Sequence, residues 1–336
     1  MKEKRAIALF SGGLDSILAC RLMAEQGIDV RAVTFVSPFF GYELLARQTE
    51  HCHKIKEKYG INLTLVEISD AYMAMLRNPA HGYGKHFNPC LDCKIFMMTR
   101  AREMMTELKA SFIISGEVVG QRPMSQRRDA LRVVERESGC EGILLRPLCA
   151  RRLEPTRPEL TGLVDRARLA ALSGRSRAGQ MAMAVRFGFD DYPTPAGGCI
   201  LTDPIVSKRI KTYYAEHERL SAADMRLLMV GRQFRLPMGG WLVIGRKESE
   251  NTVLDGLRQA GDRCLMLKDR PGPTGLLRGL KNPAELVTAA ALVARYGKKD
   301  LHGRPRPGVV LCQGDEDTVE IDIGERDISE TQGLSA

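Results

Sequence analysis

The sequence has no apolar run long enough to cross a bilayer, which excludes a membrane-spanning helix. It also shows no leader pattern of basic start, apolar stretch and small-residue cleavage site, so the expected location is cytoplasmic, with no membrane partner. Aromatic residues are scarce, at 6% with a single Trp, and the Tyr and Phe residues are too scattered to argue a base-stacking platform. No segment repeats and none is of low complexity, which excludes a solenoid. Two common nucleotide signatures are missing. There is no G-x-x-x-x-G-K-[ST] and no G-x-G-x-x-G, so neither a P-loop nor a dinucleotide fingerprint is present. Only one C-x-x-C occurs and no histidines are paired at metal-ligand spacing, so a four-ligand structural zinc site is not evident. For a cytoplasmic chain the nine cysteines do not imply disulfides.

A length of 336 residues predicts two domains with ample core. Net charge is +9, unevenly placed. Gly120–Gln180 holds thirteen Arg against seven acids, whereas the last 28 residues hold eight acids and one Arg. Without that acidic tail the body carries +16, which points to a polyanionic partner, nucleic acid first.

The first half alternates apolar strands with helical patterns. Strands are expected at Ala6–Phe10, Val30–Val36, Leu63–Glu67 and Phe112–Ser115. Helices are expected at Ser16–Gln26, Leu44–Tyr59, Ala71–Arg77 and Cys93–Leu108. This implies a parallel sheet covered on both faces, with ligands at the C-terminal strand ends. Val164–Phe187 reads as one helix with an exposed insert at Gly174–Arg177, and Asp203–His217 as another. The second domain, 223–336, reads as a smaller α+β module ending in an acidic tail. The first domain is expected to span 1–222.

Ser11-Gly12-Gly13-Leu14-Asp15-Ser16 lies between the first strand and the first helix. Two glycines let the backbone turn tightly, two serines supply hydroxyls, and a helix N-terminus supplies N–H groups, a combination suited to phosphate. The segment resembles the PP-loop of the N-type ATP pyrophosphatases, an adenine nucleotide α-hydrolase-like α/β fold. That resemblance implies ATP held by Ser11, Gly12, Gly13, Asp15 and Ser16, with Asp15 associated with Mg2+.

Three cysteines stand apart from the rest. Cys20 and Cys52 lie in helical patterns, and Cys140, Cys149, Cys264 and Cys312 are isolated, so all six read as structural. Cys90 and Cys93 form a C-x-x-C behind Pro89 at a helix start, where thiol pKa values fall, and Cys199 follows Gly197-Gly198. If the three meet, their thiolates suit either a 4Fe-4S cluster with one open iron or a pair that carries persulfide sulfur. His81 and His86 precede the C-x-x-C, though a loop histidine is more often neither a ligand nor an acid–base group. Lys85 is a candidate for contact with phosphate or RNA. Glu117 is either an active-site acid or a cap.

Pro89-Cys90-x-x-Cys93, followed by Thr194-Pro195-Ala196-Gly197-Gly198-Cys199, is similar to the tRNA 2-thiouridylases and 4-thiouridine synthetases. Ser115, Gly116 and Gln121, with Ser125-Gln126, are similar to the nucleotide pocket of the latter. The resemblance implies ATP-dependent thiolation of tRNA. ATP would adenylate a uridine carbonyl oxygen, and sulfur handled by Cys90, Cys93 and Cys199 would displace AMP. The sulfur donor would be sulfide or a persulfide carrier, and a homodimer is one candidate association. Val243–Lys247, Leu267–Gly272 and Ala289–Tyr296 resemble the NFACT RNA-binding domain, which implies tRNA contacts from Arg246, Lys247, Lys268 and Arg270. Arg122, Arg127 and Arg128, beyond the Ser115–Glu117 strand end, are further candidates for tRNA phosphates. Two rival readings are an adenylating ligase or amidotransferase on a small molecule, and a non-catalytic RNA-binding protein of translation quality control.

Overall fold

The computed structural model describes residues 4–193 and 198–334. The chain forms two compact units, Met1–Leu220 and Ser221–Ala336. No helix among the described residues is long and apolar enough to cross a membrane.

The first unit is built on strands β1 (Arg5–Leu9), β2 (Asp29–Val36), β3 (Asn62–Glu67), β4 (Phe112–Ser115) and β5 (Leu144–Leu145). Its helices are α1 (Leu14–Ala24), α2 (Gln48–Tyr59), α3 (Ser69–Arg77), α4 (Cys90–Glu103), α5 (Arg128–Glu137), α6 (Arg157–Leu160), α7 (Ala178–Arg186) and α8 (Pro204–Glu216). All pairings are parallel, in the order β3-β2-β1-β4-β5. The chain winds outward from β1 to β3, then returns to the other side of β1 for β4 and β5. The order therefore reverses between β1 and β4, and the crevice at their carboxyl ends is the expected ligand position of such a sheet. All four residues of β4 and the middle three of β1 are buried, as a sheet covered on both faces requires.

Helix α1 is apolar nearly all round because it packs on two sides. Ile17, Cys20 and Met23 join the core beneath the sheet, while Leu14, Leu18, Ala19 and Leu22 pack with Val118, Val119, Leu131 and Ala184. The loop ahead of α1 is thus anchored by a fully packed helix.

Three sequence expectations change. Val164–Phe187 is not one helix. Asp165 caps a short 3-10 turn, Arg166–Arg168, and helix resumes only at Ala178. Between them the backbone bonds outward, from Ala170 to Pro147, Leu172 to Leu148 and Gly174 to Val119, so tertiary pairing replaces the helical ladder. Helix α5 and the two-residue strand β5 were not anticipated. Arg146–Pro158, expected to be irregular, contains a 3-10 turn and ends at α6, whose start is a capping box of Thr156 and Glu159.

The second unit has strands β6 (Arg232–Arg235), β7 (Trp241–Ile244), β8 (Arg263–Leu267), β9 (Gly275–Arg278), β10 (Gly308–Gln313) and β11 (Thr318–Ile323). They form an antiparallel sheet in the order β11-β10-β8-β9-β7-β6. Its helices are α9 (Ala222–Leu228), α10 (Glu248–Gly256), α11 (Glu285–Arg295) and α12 (Glu325–Glu330). Ala289–Ala294 of α11 are all buried in the core on one sheet face. The acidic stretch is not an appended tail. It folds as β11 and α12, and its carboxylates pair with cations: Asp317 with Arg263 and Glu320 with Lys268.

Candidate active site

Strand β1 ends at Leu9, which pairs with Ser115 at the end of β4, so the Ser11–Ser16 loop and the Ser115–Glu117 strand end are neighbours. Gly12 takes φ +75°, which an L side chain rarely adopts. Gly13 starts α1 in extended geometry with no side-chain cap, which leaves first-turn N–H groups for a ligand. The Ser16 hydroxyl donates to the Gly13 carbonyl at 2.8 Å and accepts from the Ser11 amide at 3.3 Å, which fixes the loop's shape.

Asp15 is held by Gln121, whose Nε2 donates to Oδ2 at 2.9 Å. Its Oδ1 is buried without a partner. A lone carboxylate oxygen beside the Ser11–Ser16 loop fits Mg2+, which is usually held by one or two carboxylates, substrate phosphates and water.

This loop forms one wall of a cavity of about 380 Å³, within the size range of small-molecule sites. Ser11, Asp15, Ser16, Ser115 and Gly116 supply the polar wall, and Phe10, Val33, Phe35, Phe40 and Met97 an apolar one. Cys93 and Lys94 also line it, as do Arg122 and Gln126.

Helix α4 begins at Cys90, with the Cys93 amide donating to the Pro89 carbonyl at 2.8 Å. The Cys199 segment is brought to the same region by the Phe87 amide, which donates to the Leu201 carbonyl at 3.2 Å. The three thiols lie within electrostatic reach of one another. Residues 194–197 of the predicted motif lie outside the described residues. Among the described residues, no three His, Cys, Asp or Glu side chains converge as they would on a single metal ion. The donor set of three cysteines matches the ligand chemistry of a 4Fe-4S cluster with one open iron.

The helix start does not lower the Cys93 thiol. Burial pushes its pKa up to about 11, against a hydrogen bond from Tyr72 and the charge of Lys94, which both pull it down. Desolvation outweighs the partial charge of one helix end. Burial likewise raises Cys199. Tyr72 and Lys94 were not singled out from sequence. Tyr72 is 1% exposed and packs edge-on to Phe40 and Phe96, at 5.1 and 5.9 Å between ring centres.

Glu117 is 4% exposed and central to an ion network. It accepts from Arg146 Nε at 3.0 Å and from Ser115 Oγ at 3.1 Å, with Lys94 Nζ at 3.5 Å. Burial alone would raise its pKa, but Lys94 and Arg146 more than offset that and hold it below the usual carboxylate range. Arg146, itself 1% exposed, also pairs with Glu135. Glu117 is therefore a buried anchor for cations, not a cap.

The other candidates divide. Arg122 lines the cavity. Arg127 pairs with Asp129, and Arg128 donates to the Arg152 carbonyl. His81 is tied to Glu137 at 2.7 Å. Lys85 and His86 are exposed, away from the cavity lining. In the second unit Lys247 is exposed, Arg246 donates to the Gly231 carbonyl, and Lys268 pairs with Glu320. Arg270 is only 6% exposed in its side chain and is bonded to Asp269 and to the carbonyls of Arg306 and Pro307, so little of it is open to a phosphate.

Residues 1–153 match the family model of the thiamine biosynthesis protein ThiI, and residues 231–331 that of the NFACT protein RNA binding domain. A probable tRNA sulfurtransferase of Thermococcus kodakarensis is 27% identical over 120 residues, 35% of this chain and 31% of the relative. A tRNA sulfurtransferase of Marinobacter nauticus is 30% identical over 148 residues, 43% of this chain and 28% of the relative. The matched segment thus spans less than a third of either relative. A crystal structure of a 4-thiouridine synthetase–RNA complex with bound ATP aligns at 19% identity and a TM-score of 0.36, covering 67% of this chain and 52% of that one. By sequence, residues 1–153 are similar to the ThiI family and to tRNA sulfurtransferases, and residues 231–331 to the NFACT RNA-binding domain.

Proposed function

We propose that the chain uses ATP to activate a uridine of tRNA and replaces its carbonyl oxygen with sulfur. One observation carries the reading: a single cavity is walled by the Ser11–Ser16 loop and by Cys93. Activation and sulfur delivery therefore share one space.

The apolar wall from Phe10 to Met97 suits an adenine ring, and the N-terminus of α1 suits the phosphates. Asp15 Oδ1 is oriented for Mg2+, with Gln121 fixing the carboxylate. The uridine carbonyl oxygen attacks the α-phosphorus and pyrophosphate leaves. Lys94, adjacent to Cys93, supplies positive charge where the phosphate becomes a leaving group. A sulfur nucleophile then forms the C–S bond as AMP departs with the original oxygen.

Two sulfur routes fit the cysteines. A 4Fe-4S cluster held by Cys90, Cys93 and Cys199 would supply sulfur on its open iron. Without one, a persulfide on one cysteine attacks through its terminal sulfur, a second cysteine breaks the S–S bond, and the resulting disulfide is reduced by an external dithiol. The second unit, matching an RNA-binding domain, is assigned to tRNA.

Anaerobically purified chain, unmodified tRNA and Mg-ATP, with sulfide in one arm and a persulfide-bearing carrier in another, provide the test. Nucleoside mass spectrometry is expected to find thiouridine in step with AMP and pyrophosphate. Asp15→Ala and Cys93→Ser are each expected to lose at least about a hundredfold in rate, the scale for removing a key transition-state or nucleophilic group. ATP cleavage without any thiolated nucleoside in either arm would overturn the reading.

A further inference from the structure

The second unit carries only a slight net charge: 17 Lys and Arg stand against 16 Asp and Glu between 221 and 336. An RNA contact there must come from a local concentration of cations. Most of its basic side chains are already committed. Arg263 pairs with Asp317 just before β11, Lys268 pairs with Glu320 of β11, and Arg278 is held by Asp224 and Asp262.

The loop between α11 and β10 is different. Lys298, Lys299, Arg304 and Arg306 are all exposed, and none makes an ion pair among the described residues. The one acid in the loop, Asp300, works as scaffold. Its Oδ1 accepts from the amides of His302 and Arg304, at 2.9 and 2.7 Å, and its backbone closes the turn through Gly303 and Arg304. Pro305 and Pro307 stiffen the returning arm by fixing φ.

The base of the loop is clamped by Arg270. Its guanidinium donates to the Arg306 carbonyl at 2.6 Å and to the Pro307 carbonyl at 3.0 Å. Gly308 makes room for this, because a Cβ there would lie 2.5 Å from Arg270 Nη1. A solvated charge run needs no such fixation. Here a buried arginine, an acidic scaffold and two prolines hold four free cations in one braced loop.

We infer that the 298–306 loop docks the sugar-phosphate backbone of RNA, with Arg270 as its positioning residue. The inference rests on the RNA-binding reading of the second unit and moves its main contact away from Arg246, Lys268 and Arg270.

Binding of unmodified tRNA to the full chain, measured over a range of salt, tests it. Replacing Lys298, Lys299, Arg304 and Arg306 with Gln is expected to weaken binding at least about tenfold and to reduce the log–log salt slope by about 3, at roughly 0.7–0.9 per lost phosphate contact. Lys298→Gln with Lys299→Gln alters only exposed side chains, so folding is not at issue, and should lower the slope by about 1.5. Arg270→Met keeps all four charges and should weaken binding while largely preserving the slope. If the wild-type chain binds tRNA and the loop variants match it in affinity and slope, the inference falls and the RNA-binding reading stands. If the wild-type chain binds no tRNA, both fall together.

Discussion

Gly116 has room for a hydrogen and nothing larger. A Cβ there would lie 2.6 Å from the Asp15 carbonyl carbon and from the Ser16 amide nitrogen. These are backbone atoms of the Ser11–Ser16 loop, so no side chain can swing aside. Gly116→Ala should therefore push the β4 end away from α1, costing about 1–3 kcal/mol of stability as overpacking does. ATP affinity should fall about tenfold, since one such factor needs only about 1.4 kcal/mol. Calorimetric titration with ATP checks this, and unaltered affinity would mean that the close approach is not needed. The Ser11–Ser16 loop and Ser115-Gly116 were legible in the sequence because glycines and hydroxyls cluster locally. Tyr72 and Lys94 were not. Tyr72 sits on a separate helix and reaches Cys93 only through tertiary packing, and a lysine beside a cysteine looks like surface charge until Glu117 is seen beneath it.

At the scale of elements, the ends of β4 and β5 are tied together by charge. Glu117 follows β4 and Arg146 follows β5, and α5 adds Glu135 to the same arginine. The two-residue strand has no periodicity to read, whereas α5 has an apolar face, with Leu131 and Val134 buried three residues apart, that is masked by the arginines around it. The long helix expected over 164–187 failed for the complementary reason. Its apolar spacing was real, but Leu169 and Leu172 serve two different cores, which a straight helix could not reach. The ion network has a definite pH signature. Glu117 has a depressed pKa in the fold, so its contribution to stability is present above its unfolded value near 4.5 and is lost as pH falls through the folded value. Arg146→Met leaves the buried carboxylate with the Ser115 hydroxyl and the single charge of Lys94. The cost at neutral pH should be about 3–5 kcal/mol, the scale for breaking a buried pair. The variant's Glu117 pKa should then rise, so the stability gap to wild type narrows on acidification. Denaturant midpoints at neutral pH and near pH 4 read this directly, and a gap that stays constant would show that Glu117 is not the linked group.

At the scale of the molecule, each of the described apolar clusters lies within one unit. The residues buried around α11 all lie between Phe234 and Ile328, whereas those around α1 all lie between Ala6 and Ala184. The two architectures also differ, one parallel and one antiparallel, with no strand shared between the sheets. Each unit therefore has what independent folding requires: its own buried apolar cluster and a sheet closed within its own segment. The charge is divided as well. The second unit is nearly neutral, so most of the net +9 belongs to the first. From this follows a division of labour under the proposed function. A fragment ending at Leu220 keeps the whole cavity and all three cysteines, and should unfold cooperatively and bind ATP as the full chain does. It should lose most of its affinity for tRNA while retaining a weaker, salt-sensitive attraction from its own arginines. Parallel ATP titration and tRNA binding of fragment and full chain measure both halves. A fragment that binds tRNA as tightly as the full chain would place the RNA contact in the first unit, and one without a cooperative transition would mean that the two cores depend on each other.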